Sequence, residues 1–327
     1  MPADTPTATT GAPAGVIHDL GYRRYDGPRL GRAQMVRALV WHSFRSAFGF
    51  GRGAKAKIVP VIAFVALLLP AVVNAASLAN GNGQLVFYDT YQPVLRDLVM
   101  TIFVAVQAPE LVSRDLRSRV LPLYFARPIR TSDYPLAKYL AFTAACAVMI
   151  EVPLLVLYLG TIVNAHGGAA VWAQTREFIP GLLVGLMWAV VLAAISLFLA
   201  SLTGRRAFAT GAVAIFFLAT YSISQILLQV ENHAAQNQAS AARGPVAGGV
   251  PLALVPVNTG EKVSGLFSPF TLFDGVRMWL SGHGTGQSDN VLYPGSFGAV
   301  YALVLVVLLA ACLTGLFARY RKAARLS

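Results

Sequence analysis

Glu151 stands twelve residues into an apolar run, 139–163, that holds no other charged side chain. A carboxylate in hydrocarbon costs about 2.5 to 3.5 kcal/mol on insertion scales, so it must face a protein interior, find a partner or carry a proton. Two readings of Glu151 follow: a gate or substrate contact, or a neutral acid hydrogen-bonded to a neighbouring helix. In a second apolar run Tyr221, Gln225 and Gln229 recur at i and i+4 and form one polar stripe. The stripe suits substrate contact, and equally suits interhelical hydrogen bonds that hold a bundle together. Arg96 and Asp97 are adjacent near the start of a third run, a local charge pair placed where snorkelling is easy. Asn74 and Gln107 are isolated polar side chains open to the same two readings as the stripe.

The remaining chemistry-bearing residues form no constellation. His18, His42, His166, His233 and His283 are scattered without ligand-spaced neighbours. Cys146 and Cys312 lie inside apolar runs and read as small apolar residues. Serines in the runs lack a nearby His or Lys, and the outer loops carry no paired carboxylates. The expectation is a non-catalytic chain that binds no cofactor or metal of its own.

The elements that hold these residues are set by composition. Of 327 residues, 56% are hydrophobic and 12% charged, which departs from a soluble domain toward a polytopic membrane protein of all-α class. Six spans are expected, at 58–79, 94–111, 139–163, 178–202, 208–230 and 297–317, each near the ~20 residues that cross a bilayer. The second is the weakest because Arg96 and Asp97 sit near its start. Ahead of the spans, 1–30 is a tail without the pattern of a signal peptide, disordered or lying on the surface. Residues 31–57 carry an amphipathic helix with Val36, Leu39, Val40, Phe44, Ala47 and Phe48 on one face, too short and too charged to span, suited to the membrane interface. The six-span domain then occupies 58–318 and a tail follows at 319–327.

Charge orients the whole. Of 26 Lys and Arg, 21 fall before the first span, in 109–138, at Arg205 and Arg206, or in 319–325. The positive-inside rule therefore puts both termini in the cytoplasm. The net charge of +12 is thus spread over lipid-facing loops and points to a bilayer, with no basic face for nucleic acid. Outside, the long loop 231–296 opens on a polar Ala/Gln/Asn-rich piece expected to be mobile. It closes on SPFTLFDGVRMWLSG, expected to form one or two short helices at the outer interface.

The stretch 109–138, PELVSRDLRSRVLPLYFARPIRTSDYPLAK, lies on the cytoplasmic side and is too patterned for a simple turn. Residues 111–121 form a short helix that Pro122 breaks, and 131–133 before Tyr134-Pro135 supply a cap for the third span. This arrangement resembles the permease subunit of type-2 ABC transporters, mostly exporters. Asp115, the apolar 121–125, Ala126-Arg127-Pro128-Ile129, Ser132-Asp133 and Lys138 match the pattern between that family's second and third spans. Asp115 stands where glutamate is commoner and Arg119 where glycine is frequent. GYRRYDGPRLGR also looks like actinobacterial permeases of this family.

The resemblance implies a bacterial plasma-membrane, multi-pass subunit that forms a translocation pathway. It implies an ATPase partner, with Glu110, Arg114, Asp115, Arg117 and Arg119 on the surface that docks it and Glu151, Tyr221, Gln225 and Gln229 along the pathway. No GxxxxGK[ST] occurs in the chain, so ATP and Mg would be held by a separate ATP-binding subunit, alongside a second copy of the permease or a paralogue. Two other classes stay open: a membrane enzyme acting on lipid-linked substrates through 231–296, using Asp274, Arg277 and His283, and a secondary carrier, for which no internal repeat is evident.

Overall fold

The computed structural model describes residues 27, 31–81, 93–117, 129–165, 167–243, 263–281 and 297–325. Contacts group Met1–Gly31 apart from a body formed by Arg32–Ser327. Of the first unit, Gly27 and Gly31 are described. Among the described residues of the body all regular structure is helical. The helices are α1 (Arg32–Ala47), α2 (Lys55–Ala79), α3 (Pro93–Arg117), α4 (Asp133–Val163), α5 (Gly168–Leu202), α6 (Arg206–Arg243), α7 (Pro269–Ser281) and α8 (Gly298–Arg325). A 3-10 turn, Gly265–Phe267, leads into α7.

Five of them, α2, α4, α5, α6 and α8, are long and apolar enough to cross a membrane. The centre is α5, which packs against α3, α4, α6, α7 and α8. Its sequence explains this: from 178 to 202 it has no charged residue and is apolar on every side, so no face of it prefers water. In contrast, α2 buries a single stripe, Ala63, Leu67, Ala71 and Asn74, against α4 and leaves Ile62, Val65, Leu69 and Val72 outward. That outward surface is what a helix at the lipid boundary presents.

In α1, Leu39, Ser43 and Ala47 are buried with Val36, Val40, Phe44 and Phe48 packed beside the core, while Trp41, His42 and Arg45 are exposed. The amphipathic face therefore serves to dock α1 on α4 and α3. Its first residue is fastened there: Arg32 donates to both oxygens of Asp133, at 2.7 and 2.5 Å. Asp133 also accepts the Arg130 backbone N–H at 3.0 Å. Asp133 thus ties down the start of α4, and the expected cap residue Ser132 makes no side-chain cap bond.

Three boundaries differ from expectation. Helix α5 starts at Gly168, ten residues before the expected span, and α6 runs on to Arg243 through the polar piece expected to be mobile. Both extensions are rich in Ala, Gln, Glu and Arg, strong helix formers whose propensity outweighs their polarity. Helix α3 passes through Pro109 to Arg117 without a break, so 111–117 are its last turns and no separate helix begins there.

The largest departure is α7. It lies inside the body: Phe270, Thr271, Leu272, Phe273, Gly275, Val276 and Arg277 are all buried, and α7 packs on α5, α6 and α8. Ser224 of α6 donates to the Ser264 carbonyl at 3.0 Å, and Thr271 donates to the Gly265 carbonyl at 2.7 Å, pinning the turn that enters it. Its aromatics reach Trp188 (Phe270 at 5.7 Å, Phe273 at 5.8 Å between ring centroids) and Phe217. Contact with α8 requires a glycine, since a Cβ on Gly275 would fall 2.1 Å from the buried Tyr301 ring. Gly275→Ala should therefore destabilise the protein by about 1–3 kcal/mol. Gly211→Ala, in open space on α6, should be neutral or stabilising by roughly 0.5–1 kcal/mol. Thermal unfolding of the two variants in one detergent checks the contrast.

Candidate functional site

Two charged layers stand at different depths. The first gathers the helix ends that the charge distribution assigns to the cytoplasm. Glu110 of α3, its side chain 7% exposed, is ion-paired to Arg52, in the turn before α2, at 2.7 Å, and to Arg206 at the start of α6. Five residues on, Asp115 is ion-paired to Lys138 of α4 at 2.9 Å and accepts the Tyr134 hydroxyl. Tyr134 in turn packs on Tyr320 near the end of α8, ring centroids 5.5 Å apart, and Arg319 donates to the Ser201 carbonyl of α5 at 3.3 Å. The ends of α3, α5 and α8 and the beginnings of α2, α4 and α6 thus meet in one layer.

The second layer lies about 20 Å away along three helices. Arg96 is fourteen residues before Glu110, Trp188 thirteen before Ser201 and Glu151 thirteen after Lys138, each ~20 Å at 1.5 Å per residue. That distance falls inside ~30 Å of hydrocarbon. Here the Arg96 guanidinium donates to Asp97 at 3.1 Å, stands 3.7 Å from the Asp274 carboxylate and lies over the Trp188 ring, 5.0 Å from its centroid. Arg277 is buried one turn along α7. Between α3, α4, α5 and α7 is a recess of about 40 Å³, lined by the charged Arg96, Asp274 and Arg277 and by Ile150, Leu154, Gly185, Trp188 and Phe273. Arg96 is thus held in the bundle by α7, and the expected snorkelling pair is a partly buried three-way cluster.

Glu151 follows Ile150, which lines this recess, but does not line it itself. It is 8% exposed, and neither carboxylate oxygen has a hydrogen-bond partner. Its Oε1 occupies the space a Cβ on Gly185 would need, 2.3 Å away, so the absence of a side chain at 185 admits the carboxyl between α4 and α5.

The polar stripe on α6 divides. Tyr221 is half-buried against Phe270, with ring centroids 6.0 Å apart. Gln225 is half-buried and Gln229 exposed. Tyr221 faces α7, whereas Glu151 lies between α4 and α5, so these pathway candidates do not converge. Of the docking candidates, Glu110 and Asp115 are engaged within the body and Arg117 is exposed. Arg114 lies on α3, and Arg119 is outside the described residues, as is His283. Sequence reasoning did not single out Arg52, Gly185 or Trp188. An arginine among other arginines ahead of the first apolar run, or a tryptophan in an apolar run, gives no signal until its partner is known.

No protein-family model matches the chain, and a search of curated proteins finds no match.

Proposed function

We propose that the chain is the membrane-spanning permease subunit of a type-2 ABC exporter in a bacterial plasma membrane. It would work with a separate ATP-binding subunit that holds ATP and Mg, and with a second permease half. In this reading α3 is the sixth crossing. Its ends carry too much charge for a simple apolar span, yet Arg96 and Asp97 are matched inside the bundle and Glu110 sits in the cytoplasmic layer with the starts of α2 and α6.

The observation that carries the reading is the construction of the foot of α3. Its last turns run past the Glu110 clamp and present exposed Arg117, while Asp115 is bonded to Lys138 and Tyr134 at the foot of α4. A partner pressing on 111–117 would therefore move α3 and α4 together, and α3 leads directly to the recess through Arg96. Closure of an ATPase could then tilt one group of spans against another, with transport outward.

Charge reversal tests it. Arg117→Glu is expected to lower co-purification of the ATP-binding subunit about tenfold, a loss of roughly 1.4 kcal/mol. The exposed position should leave the thermal stability of the chain within about 0.5 kcal/mol. Unchanged assembly in this variant would contradict docking at the foot of α3.

A further inference from the structure

Helix α1 turns its apolar face to the protein, with Leu39, Ser43 and Ala47 buried against the body. What it presents outward is basic and aromatic. Residues 31–57 hold six Arg and Lys and no Asp or Glu. Two of the six are committed to carboxylates, Arg32 to Asp133 and Arg52 to Glu110. The other four, Arg37, Arg45, Lys55 and Lys57, are exposed, and none is ion-paired among the described residues. Like charges gathered without acids repel one another, so this face calls for anions from outside the chain.

The backbone brings the four together with aromatic side chains. Arg37, Trp41 and Arg45 follow one another in four-residue steps along one side of α1, ~6 Å apart at 1.5 Å per residue. Trp41 is 61% exposed and stacks on Phe44, ring centroids 5.9 Å apart. The turn after α1 folds back on the start of α2. Gly49 has a φ of 76°, and a Cβ on it would fall 2.6 Å from the Ala56 carbonyl oxygen, so only a glycine lets the turn lie against 56–57. The exposed Phe50 donates its backbone N–H to the Arg45 carbonyl at 3.0 Å, and the Lys57 ammonium stands 5.6 Å from the Phe50 ring centroid. Directly beyond, Ile58, Ile62 and Val65 carry the exposed apolar surface along α2, the side that meets lipid.

We propose that this face binds anionic phospholipids in the leaflet on the side of the Arg52–Glu110 ion pair. Arg37, Arg45, Lys55 and Lys57 meet the headgroup phosphates, and Trp41 and Phe50 sit where headgroup gives way to hydrocarbon. An acidic protein surface would match the charge, but not the continuity of Phe50 and Ile58 with the lipid-facing side of α2. The site requires a chain that spans a bilayer and does not depend on what drives transport.

The test uses the full-length protein in detergent micelles, with bound lipid counted by native mass spectrometry. Phosphatidylglycerol should bind about tenfold more tightly than phosphatidylcholine with the same acyl chains, the scale of one or two basic residues at roughly fivefold each. Arg37→Gln, Arg45→Gln, Lys55→Gln and Lys57→Gln made together should reduce that preference to about twofold or less. Arg205→Gln, Arg321→Gln and Lys322→Gln together remove exposed basic residues from other helix ends and should leave it within about twofold of its original value. Equal binding of the two lipids by the unaltered chain, or the same loss in the second variant, would overturn the proposal. A preference that survives the four substitutions would also overturn it and leave the face to an acidic protein surface. On the unaltered chain, phosphatidylglycerol with a photoreactive headgroup should label peptides within 37–58. Labelling confined to other segments would overturn the proposal even where the variants do not accumulate.

Discussion

Arg96→Leu is expected to lower the stability of the protein by about 3–5 kcal/mol, the usual consequence of removing one partner from a buried ion pair. The physical reason is the position of the two carboxylates. Asp97 is 7% exposed and depends on Arg96 at 3.1 Å, and Asp274 shares the same guanidinium at 3.7 Å. Taking Arg96 away leaves both in a low-dielectric interior with a single arginine, Arg277, near them. Arg96→Lys keeps the charge but loses the planar fork and its stacking on Trp188, and should cost roughly 1–2 kcal/mol. The decisive comparison is the pair Arg96→Leu, Asp97→Leu made together. Removing both members of an ion pair avoids a stranded charge, so the double variant should regain a large part of the loss. Thermal unfolding of the three variants measures this. Equal losses in the single and double variants would mean that packing, not charge, governs the site.

The second large effect is expected at Glu110. Its carboxylate is almost fully covered and lies between Arg52, 17% exposed, and Arg206, 63% exposed. Glu110→Ala should cost about 3 kcal/mol because it removes the covered carboxylate from between two arginines, although Arg52 keeps its hydrogen bond to the Ser46 hydroxyl at 3.0 Å. Arg206→Ala should cost no more than about 1 kcal/mol, since most of that side chain is already in water. Thermal unfolding in matched detergent orders the two. The ranking matters as much as the size, because a loss at Arg206 as large as that at Glu110 would place the energy of the clamp in its exposed arm.

What the sequence makes legible is what depends on one helix at a time. Five apolar runs, the amphipathic face from Val36 to Phe48 and the sidedness of the basic residues each follow from periodicity or counting within a segment. All reappear as α2, α4, α5, α6 and α8, as the buried face of α1 and as a shared layer of helix ends. Partnerships between distant segments are not legible in this way. Asp274 and Arg277 on a thirteen-residue amphipathic helix describe an interfacial element until Arg96 is known to meet Asp274. With that contact α7 becomes an inserted element, because its charges are matched inside the protein. The extension of α6 was illegible for a different reason. Polarity points to mobility in 231–243, whereas the stronger signal there is the helix propensity of Ala, Gln and Glu. Glu151 was legible as unusual from its place in an uncharged run, but its setting on Gly185 beside a recess required three helices.

The clamp, the foot of α3 and the recess connect in one line, from Arg117 through Glu110 to Arg96. In the proposed function an ATP-driven partner works on that line. Extracting the chain from its native membrane in mild detergent shows what accompanies it. A near-stoichiometric ATP-binding protein with a GxxxxGK[ST] motif and vanadate-sensitive ATP hydrolysis are expected, both lost with Arg117→Glu. A chain that purifies intact with no ATP-binding protein and no hydrolysis would contradict it.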